Sequence, residues 1–330
     1  CEAGCPKGAV SAISVPTMEA TQALMKSEHT ALILATGGGA MVKSAYSSGT
    51  PAIGVGAGNG PAFIDKSADI KKAVKQILDS KTFDNGTICA SEQSIIVERC
   101  MEAKVVEELK SQGAFVLTQE QSRQLGKFIL RANGTMNPMI VGKTCAQIAE
   151  YAGLCGVPSS ARVLVGRETK VGADAPYSRE KLAPILGLFV EENTDRVLER
   201  SIEILHMEGA GHTFSMHAED EGLVRKFALQ IPASRFLVNT PGALGGIGAT
   251  TGLFPALTLG CGAVGGSSSS NNIGPLDLIN IKRVAFGTKE LEEIRRESET
   301  VQNGTSASGS GQISHELINA IVDKIVKEFI

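Results

Sequence analysis

The chain has 330 residues, 42% of them hydrophobic, with a formal net charge of -3, enough for a folded core spread over two lobes. Lys and Arg are scattered, aromatic residues make up only 4% and Trp is absent, so neither a basic stripe nor a stacking platform exists for nucleic acid. No apolar run reaches the roughly 18 residues that a membrane helix needs, and no membrane partner is expected.

Seven cysteines (Cys1, Cys5, Cys89, Cys100, Cys145, Cys155 and Cys261) form no CxxC pair or Cys/His cluster. This usage fits a reducing cytosol and no metal site. The chain opens on Cys1 without a charged, then apolar leader, and the expectation is that it starts inside a larger protein.

Residues 1–59 alternate apolar runs with helical stretches. A short strand is expected at 13–15, a helix over 17–26 capped by Thr17, and a buried strand over 31–35. Thr36-Gly37-Gly38-Gly39 and a helix over 40–46 follow. Strand, glycine turn and helix in that order make a dinucleotide-binding-like unit, because glycines let a helix N-terminus approach a pyrophosphate. The full GxGxxG order is lacking, so a plain turn remains the other reading. A third apolar piece, 51–55, runs into Gly56-Ala57-Gly58-Asn59-Gly60. Glycine inside an element costs about 0.5 to 1 kcal/mol, so this cluster signals close approach by a ligand or another backbone.

Beyond it the pattern gives a strand at 63–65, a helix over 69–80, a strand over 94–98, helices over 104–112, 120–130 and 145–152, and strands over 162–165 and 186–190. A helix over 194–206, a strand over 213–216, a helix over 219–229 and a strand over 235–238 complete it. Strands alternating with helices predict an α/β fold with a parallel, doubly wound sheet. Residues 242–266 are glycine-rich and loop-like, and 278–286 read as a strand interrupted by Asn280, Lys282 and Arg283. A Ser/Gly/Thr/Asn linker over 298–312 leads to 313–330, where apolar residues recur on one helical face.

Chemistry concentrates at Cys89, which follows Gly86 and precedes an apolar strand. A thiol displayed after a glycine turn suits a nucleophile, while free cysteines are also among the most buried residues; both readings stand on local context. His212, between Gly211 and Thr213, and Glu180, in Glu180-Lys181-Leu182-Ala183-Pro184, are by themselves an ordinary histidine and a solvated loop charge.

Together these segments resemble the aldehyde dehydrogenase superfamily, in particular its CoA-acylating branch. The resemblance runs from about Gly4 to Phe286 and is carried by Leu34-Ala35-Thr36-Gly37-Gly38, residues 51–59, residues 83–93, Glu180 to Pro184, Gly211-His212-Thr213, Asn239-Thr240-Pro241 and Leu257-Thr258-Leu259-Gly260-Cys261-Gly262. It implies an aldehyde dehydrogenase-like fold: residues 1–59 as the latter part of a Rossmann-like NAD-binding domain, 60–270 as the α/β catalytic thiol domain, 271–290 as an oligomerisation strand, 291–312 as a linker and 313–330 as an appended amphipathic helix.

By the same resemblance Cys89 is the nucleophile, His212 lies near the thioester, and Glu180 holds the nicotinamide ribose. Thr36, Gly37, Gly38, Gly39, Val55, Gly56 and Leu182 join Glu180 around the cofactor. Hydrolytic members carry a glutamate base at the glycine block, whereas this chain reads Val55-Gly56-Ala57-Gly58-Asn59, so CoA rather than water is expected to resolve the thioester. The implied reaction is reversible oxidation of a short-chain aldehyde, of the propionaldehyde or acetaldehyde class, to acyl-CoA with NAD+ and coenzyme A. A hydrolytic or phosphate-forming relative, or an inactive assembly subunit, are the alternatives. The family's oxyanion asparagine and first strands would precede Cys1, and a piece holding about two thirds of such an enzyme is expected to have little activity alone. The implied partners are a second copy of the chain and, through 313–330, a microcompartment shell protein in the bacterial cytoplasm.

Overall fold

The computed structural model describes residues 2–296. The chain divides into a compact unit ending at Ile279 and a second beginning at Asn280.

The first unit contains two parallel sheets. Helix α1 (Met18–Lys26) starts at Thr17, whose side-chain oxygen accepts from the Ala20 N–H, and carries Glu19 in its first turn and Lys26 in its last, as the helix dipole favours. Strands β1 (Ile33–Thr36) and β2 (Ala52–Val55) pair in parallel with helix α2 (Gly39–Tyr46) as the crossover. Residues 13–15, expected as a strand, form none; Ile13 and Val15 are exposed and no ladder partner stands beside them.

The larger sheet contains β3 (Pro61–Ile64), β4 (Ser94–Glu98), β5 (Ala114–Val116), β6 (Val163–Arg167), β7 (Ile185–Glu191), β8 (Gly211–His217) and β9 (Ala233–Val238) in the order β5-β6-β7-β4-β3-β8-β9. Every pairing is parallel. On one face Ile64, Ile95, Val97, Leu186 and Leu188 pack with Val74, Ile77 and Leu78 of α3 (Ile70–Thr82) and Val105 and Leu109 of α4 (Glu102–Ser111). On the other, Phe63, Ile96, Phe189, Phe214 and Met216 meet α7 (Thr194–Met207) and α8 (Glu221–Ala228). Helices on both faces explain why β4 and β7 read as unbroken apolar runs rather than alternating ones. Between these helix pairs in the chain, α5 (Gln119–Ile129) and α6 (Cys145–Tyr151) close a further apolar cluster around Tyr177.

Tyr46 ties the smaller sheet to the 267–268 loop. Its hydroxyl oxygen accepts the N–H groups of Gly54 (2.8 Å) and Ser268 (2.9 Å), and the Ser267 hydroxyl donates to the Gly54 carbonyl (2.6 Å). Residues 242–266 are largely loop, apart from a one-turn helix, α9 (Gly242–Gly246). The strand expected over 278–286 is absent: the backbone from Asn280 carries no ladder, and Ile281, Val284 and Phe286 are exposed. A strand needs a partner for its N–H and C=O groups, and none is present among the described residues. The linker from 298 and the helix over 313–330 lie outside the described residues.

Candidate active site

Cys89 sits at the amino ends of the larger sheet's strands, and its position begins with α3. The helix is capped by Asp69, which accepts from the Lys72 N–H (3.1 Å), and its last turn carries Lys81 inward. A 3-10 turn, Phe83–Gly86, then holds Asp84, Asn85 and Gly86 at φ 47°, 49° and 75°. Asp and Asn tolerate left-handed backbone because their side chains bond locally. Here the Thr87 hydroxyl donates to Asp84 Oδ2 (2.6 Å) and the Asn85 amide to the Gly142 carbonyl (3.1 Å). The reversal leaves Cys89 half-buried ahead of β4, and the Gln93 N–H donates to the Gly60 carbonyl (2.8 Å) to close the loop.

Gly58 covers this loop. A Cβ there would overlap the Cys89 carbonyl oxygen, so only glycine allows the two backbones to meet. The Gly58 N–H donates to Glu180 Oε1 (2.7 Å), and the Asn59 amide donates to the Ser178 carbonyl (2.6 Å). Glu180, far away in sequence, is thereby fastened beside the thiol rather than solvated.

Behind the loop lies a buried polar layer. Lys81 Nζ donates to Gln93 Oε1 (3.0 Å), which also accepts the Lys181 N–H (3.1 Å). Lys181 Nζ donates to the Tyr177 carbonyl (3.0 Å), and Glu92 Oε1 accepts the Gly242 N–H (2.8 Å). Burial pulls Lys81 down to about 7 and pushes Glu92 up to about 7, since desolvation disfavours either charge.

Burial also pushes the Cys89 thiol up to about 12, with Glu180 and Cys261 adding to the rise and Arg235 opposing it. Glu180 itself is pushed up to about 7, again chiefly by burial. At neutral pH Cys89 is therefore a thiol, and a carboxyl group that titrates near 7 faces it. Proton transfer from this thiol to the Glu180 carboxylate is uphill by the gap between the two values, so the thiolate forms only as it is consumed by an acceptor. His212 opens β8 fully buried, with Nδ1 2.8 Å from Thr213 Oγ1 and Nε2 without a partner. Burial lowers its pKa to about 3, so its ring is neutral and Nε2 is free for one hydrogen bond.

The aldehyde dehydrogenase family profile matches residues 1–178. The chain belongs to the aldehyde dehydrogenase family. It is 44% identical over 288 residues to the bifunctional aldehyde-alcohol dehydrogenase of Escherichia coli K12, covering 86% of this chain and 32% of that one. Among solved aldehyde dehydrogenases it is similar to a probable one from Listeria monocytogenes EGD-e, with 65% identity, a TM-score of 0.85 and coverage of 89% of this chain and 65% of that chain. It is also similar to an acetylating aldehyde dehydrogenase from Geobacillus thermoglucosidasius, with 49% identity, a TM-score of 0.84 and coverage of 88% and 64%. The chain thus spans about a third of the curated aldehyde-alcohol dehydrogenase and just under two thirds of the two solved structures.

Within this aldehyde dehydrogenase fold, the expected cofactor residues separate into two groups. Thr36, Gly38 and Gly39 are exposed and nothing lies within 4 Å of a Cβ built on Gly38 or Gly39, an open cradle at the start of α2 that fits a dinucleotide phosphate. Gly37 continues the β1–β2 ladder by donating to the Val55 carbonyl (3.1 Å). Leu182 is half-buried at φ 48°, its carbonyl accepting from Gly142. Val55 is fully buried at the end of β2, and its carbonyl accepts from Gly37 (3.1 Å). A cavity of about 930 Å³ lies elsewhere, lined by Leu117, Ser122, Lys127, Pro176 and Tyr177 among others, and holds none of the groups around Cys89.

Three residues of the aldehyde dehydrogenase site were given no role by sequence reasoning. Lys81 follows the helix expected over 69–80 and was given no part. Cys261 lay in a recognised block, and Arg235 was only the start of a strand. Their importance comes from the fold, which buries all three, Arg235 and Cys261 where their charge is felt by Cys89 and Lys81 in the polar layer behind its loop.

Proposed function

We propose that this chain carries the thiol machinery of a CoA-acylating aldehyde dehydrogenase, which oxidises a short-chain aldehyde to acyl-CoA through a thioester on Cys89. The observation that carries the reading is the Gly56–Asn59 segment. It lies directly over Cys89, bears no carboxylate, and commits its one polar side chain, Asn59, to the Ser178 carbonyl. The segment itself offers a water molecule no base, and the one carboxylate near it, Glu180, is held by the Gly58 N–H (2.7 Å), whereas the thiol of CoA is nucleophilic without a base near neutral pH.

In this mechanism the Cys89 proton passes to Glu180 and the sulfur bonds to the aldehyde carbon, the carbonyl electron pair moving to oxygen. NAD+, held by Thr36, Gly37, Gly38, Gly39, Gly56, Glu180 and Leu182, would supply the hydride acceptor that leaves a thioester on Cys89. The CoA thiol then attacks the thioester carbon, its proton passing to the departing Cys89 sulfur as that bond breaks, and acyl-CoA departs. His212 Nε2 is suited to orient the incoming thiol, since its neutral ring can accept a hydrogen bond. Two further expectations belong to the same reading: a homo-oligomer, supported by the exposed apolar Ile281, Val284 and Phe286, and delivery to a bacterial microcompartment, supported by the apolar periodicity of 313–330. A fluorescent protein fused to 312–330 should co-purify with shells; diffuse signal in shell-producing cells would remove the second.

The catalytic reading is tested by mixing the chain with acetyl-CoA or propionyl-CoA and recording intact mass. An acyl adduct mapping to Cys89 and discharged by CoA is expected. An adduct that turns over with water or phosphate as fast as with CoA would replace this reading with the hydrolytic or phosphate-forming one.

A further inference from the structure

Arg235 is 2% exposed, yet among the described residues no carboxylate stands within salt-bridge distance of it. Its four hydrogen bonds all go to neutral acceptors: Nη2 donates to the His212 carbonyl (2.9 Å) and the Gly260 carbonyl (2.6 Å), and Nη1 to the Ser270 carbonyl (3.3 Å) and Asn272 Oδ1 (3.4 Å). Nε is buried without a partner. Burying a charge without a counter-charge is expensive, and an anion forming nearby would offset that cost.

The surroundings indicate which anion. Gly260 leads into Cys261, whose carbonyl oxygen packs so closely on Gly211 that a Cβ there would overlap it. The Gly56 N–H faces the Cys261 thiol, and two residues on, Gly58 rests on the Cys89 carbonyl. The guanidinium thus ties β8, β9 and the 260–272 loop into the wall that meets the Cys89 loop, and its charge is felt by both thiols. The other titratable groups facing this space are Glu180 on Cys89's side, His212 at the start of β8, and Lys81, Glu92 and Lys181 behind the loop.

We propose that Arg235 is the positioning residue of the thiol site: a fixed, uncompensated cation that holds the Cys261 and His212 wall in place and offsets the negative charge when Cys89 becomes a thiolate. This rests on Cys89 being the reacting thiol. Glu180 and Arg235 then act in opposition on one sulfur, the carboxylate disfavouring the anion that it helps to generate and the guanidinium retaining it.

The test needs neither aldehyde nor CoA. Alkylation of Cys89 by iodoacetamide is followed between pH 7 and 9 by site-resolved mass spectrometry in the wild type, Arg235→Met, Arg235→Gln and Arg235→Lys, with circular dichroism and a thermal melt for each. Because one unit of thiol pKa changes the thiolate fraction tenfold in this range, both neutral variants should react about tenfold or more slowly at every pH, and Arg235→Lys should recover most of the wild-type rate. Equal rates in folded neutral variants would overturn the proposal, as would a lysine variant as slow as they are. Failure of both neutral variants to fold while Arg235→Lys folds would assign Arg235 to stability alone and overturn it equally. A positive result here with no acyl adduct from acyl-CoA would keep the role of Arg235 and remove only the catalytic reading.

Discussion

The two ends of the seven-stranded sheet are built to different rules. At the carboxyl ends of β3, β4, β8 and β9 stand Asp65, Glu98, His217 and Asn239, the residues at which open α/β sheets commonly meet their ligands. Here they do local carpentry: Asp65 accepts the Ser67 N–H (2.9 Å) and hydroxyl (2.7 Å), Glu98 accepts the Thr194 hydroxyl (3.0 Å), and the Asn239 side chain pairs with the Ala218 N–H and carbonyl. At the amino ends, the backbone of Gly58 is pressed onto Cys89, lysines are buried without carboxylate partners, and a cation lies beside two thiols. Buried cations gather at the amino ends, whereas the carboxyl ends bury the carboxylates Asp65 and Glu98 on hydroxyl partners.

The largest effect that would sharpen this contrast is on Cys89→Ala, which should abolish the acyl adduct formed from acyl-CoA, a loss of roughly a thousandfold or more, with the melting temperature little changed. Residual acylation at another cysteine would break the assignment. Gly58→Ala comes next: the added methyl must displace the Cys89 backbone, and overpacking of this kind costs about 2–3 kcal/mol, readable by urea denaturation together with slower alkylation of Cys89.

The carboxyl end should respond in stability alone. Burial holds His217 down at about 4, against 6.5 for the free side chain, so between these values the unfolded chain takes up a proton that the folded chain refuses. Relative to His217→Leu, the wild type should lose about 1.4 kcal/mol per pH unit as pH falls from 6.5 towards 4. Glu92, raised by burial, runs the other way and gains stability over part of the same window, so the difference between wild type and variant is the quantity to follow. Parallel denaturation curves would show that His217 protonates freely in the fold. The smallest effect is Asp69→Ala, which removes the α3 cap for about 1 kcal/mol and should leave alkylation of Cys89 untouched although the same helix ends at Lys81.

Much of this was legible beforehand, for reasons that differ by residue. The β4 and β7 runs are buried on both faces, so their hydrophobicity was unbroken, and α1 carried its own cap in Thr17. Strand β5 escaped notice because three residues, Ala114–Val116, have no period to read, and the apolar run at 13–15 misled because burial depends on what lies alongside. In the site, the spacing around Cys89 and the glycine cluster were visible. Arg235 and Lys81 were not, since a buried cation looks like any surface cation until the fold encloses it. Val55 differs again: it lies in a glycine-rich motif, yet the last two residues of its strand are both buried.

The glycine-mediated walls of Cys89 also bear on how the protein reaches its native state. They come from segments near residues 58, 89, 180, 211, 235 and 261, so nearly every contact closes a long loop, and chains dominated by such contacts fold slowly. No early, locally folded part of the chain can assemble the site. These separations lead to the expectation that the environment of Cys89 forms late, in which case the alkylation behaviour of this one sulfur would report the completion of folding.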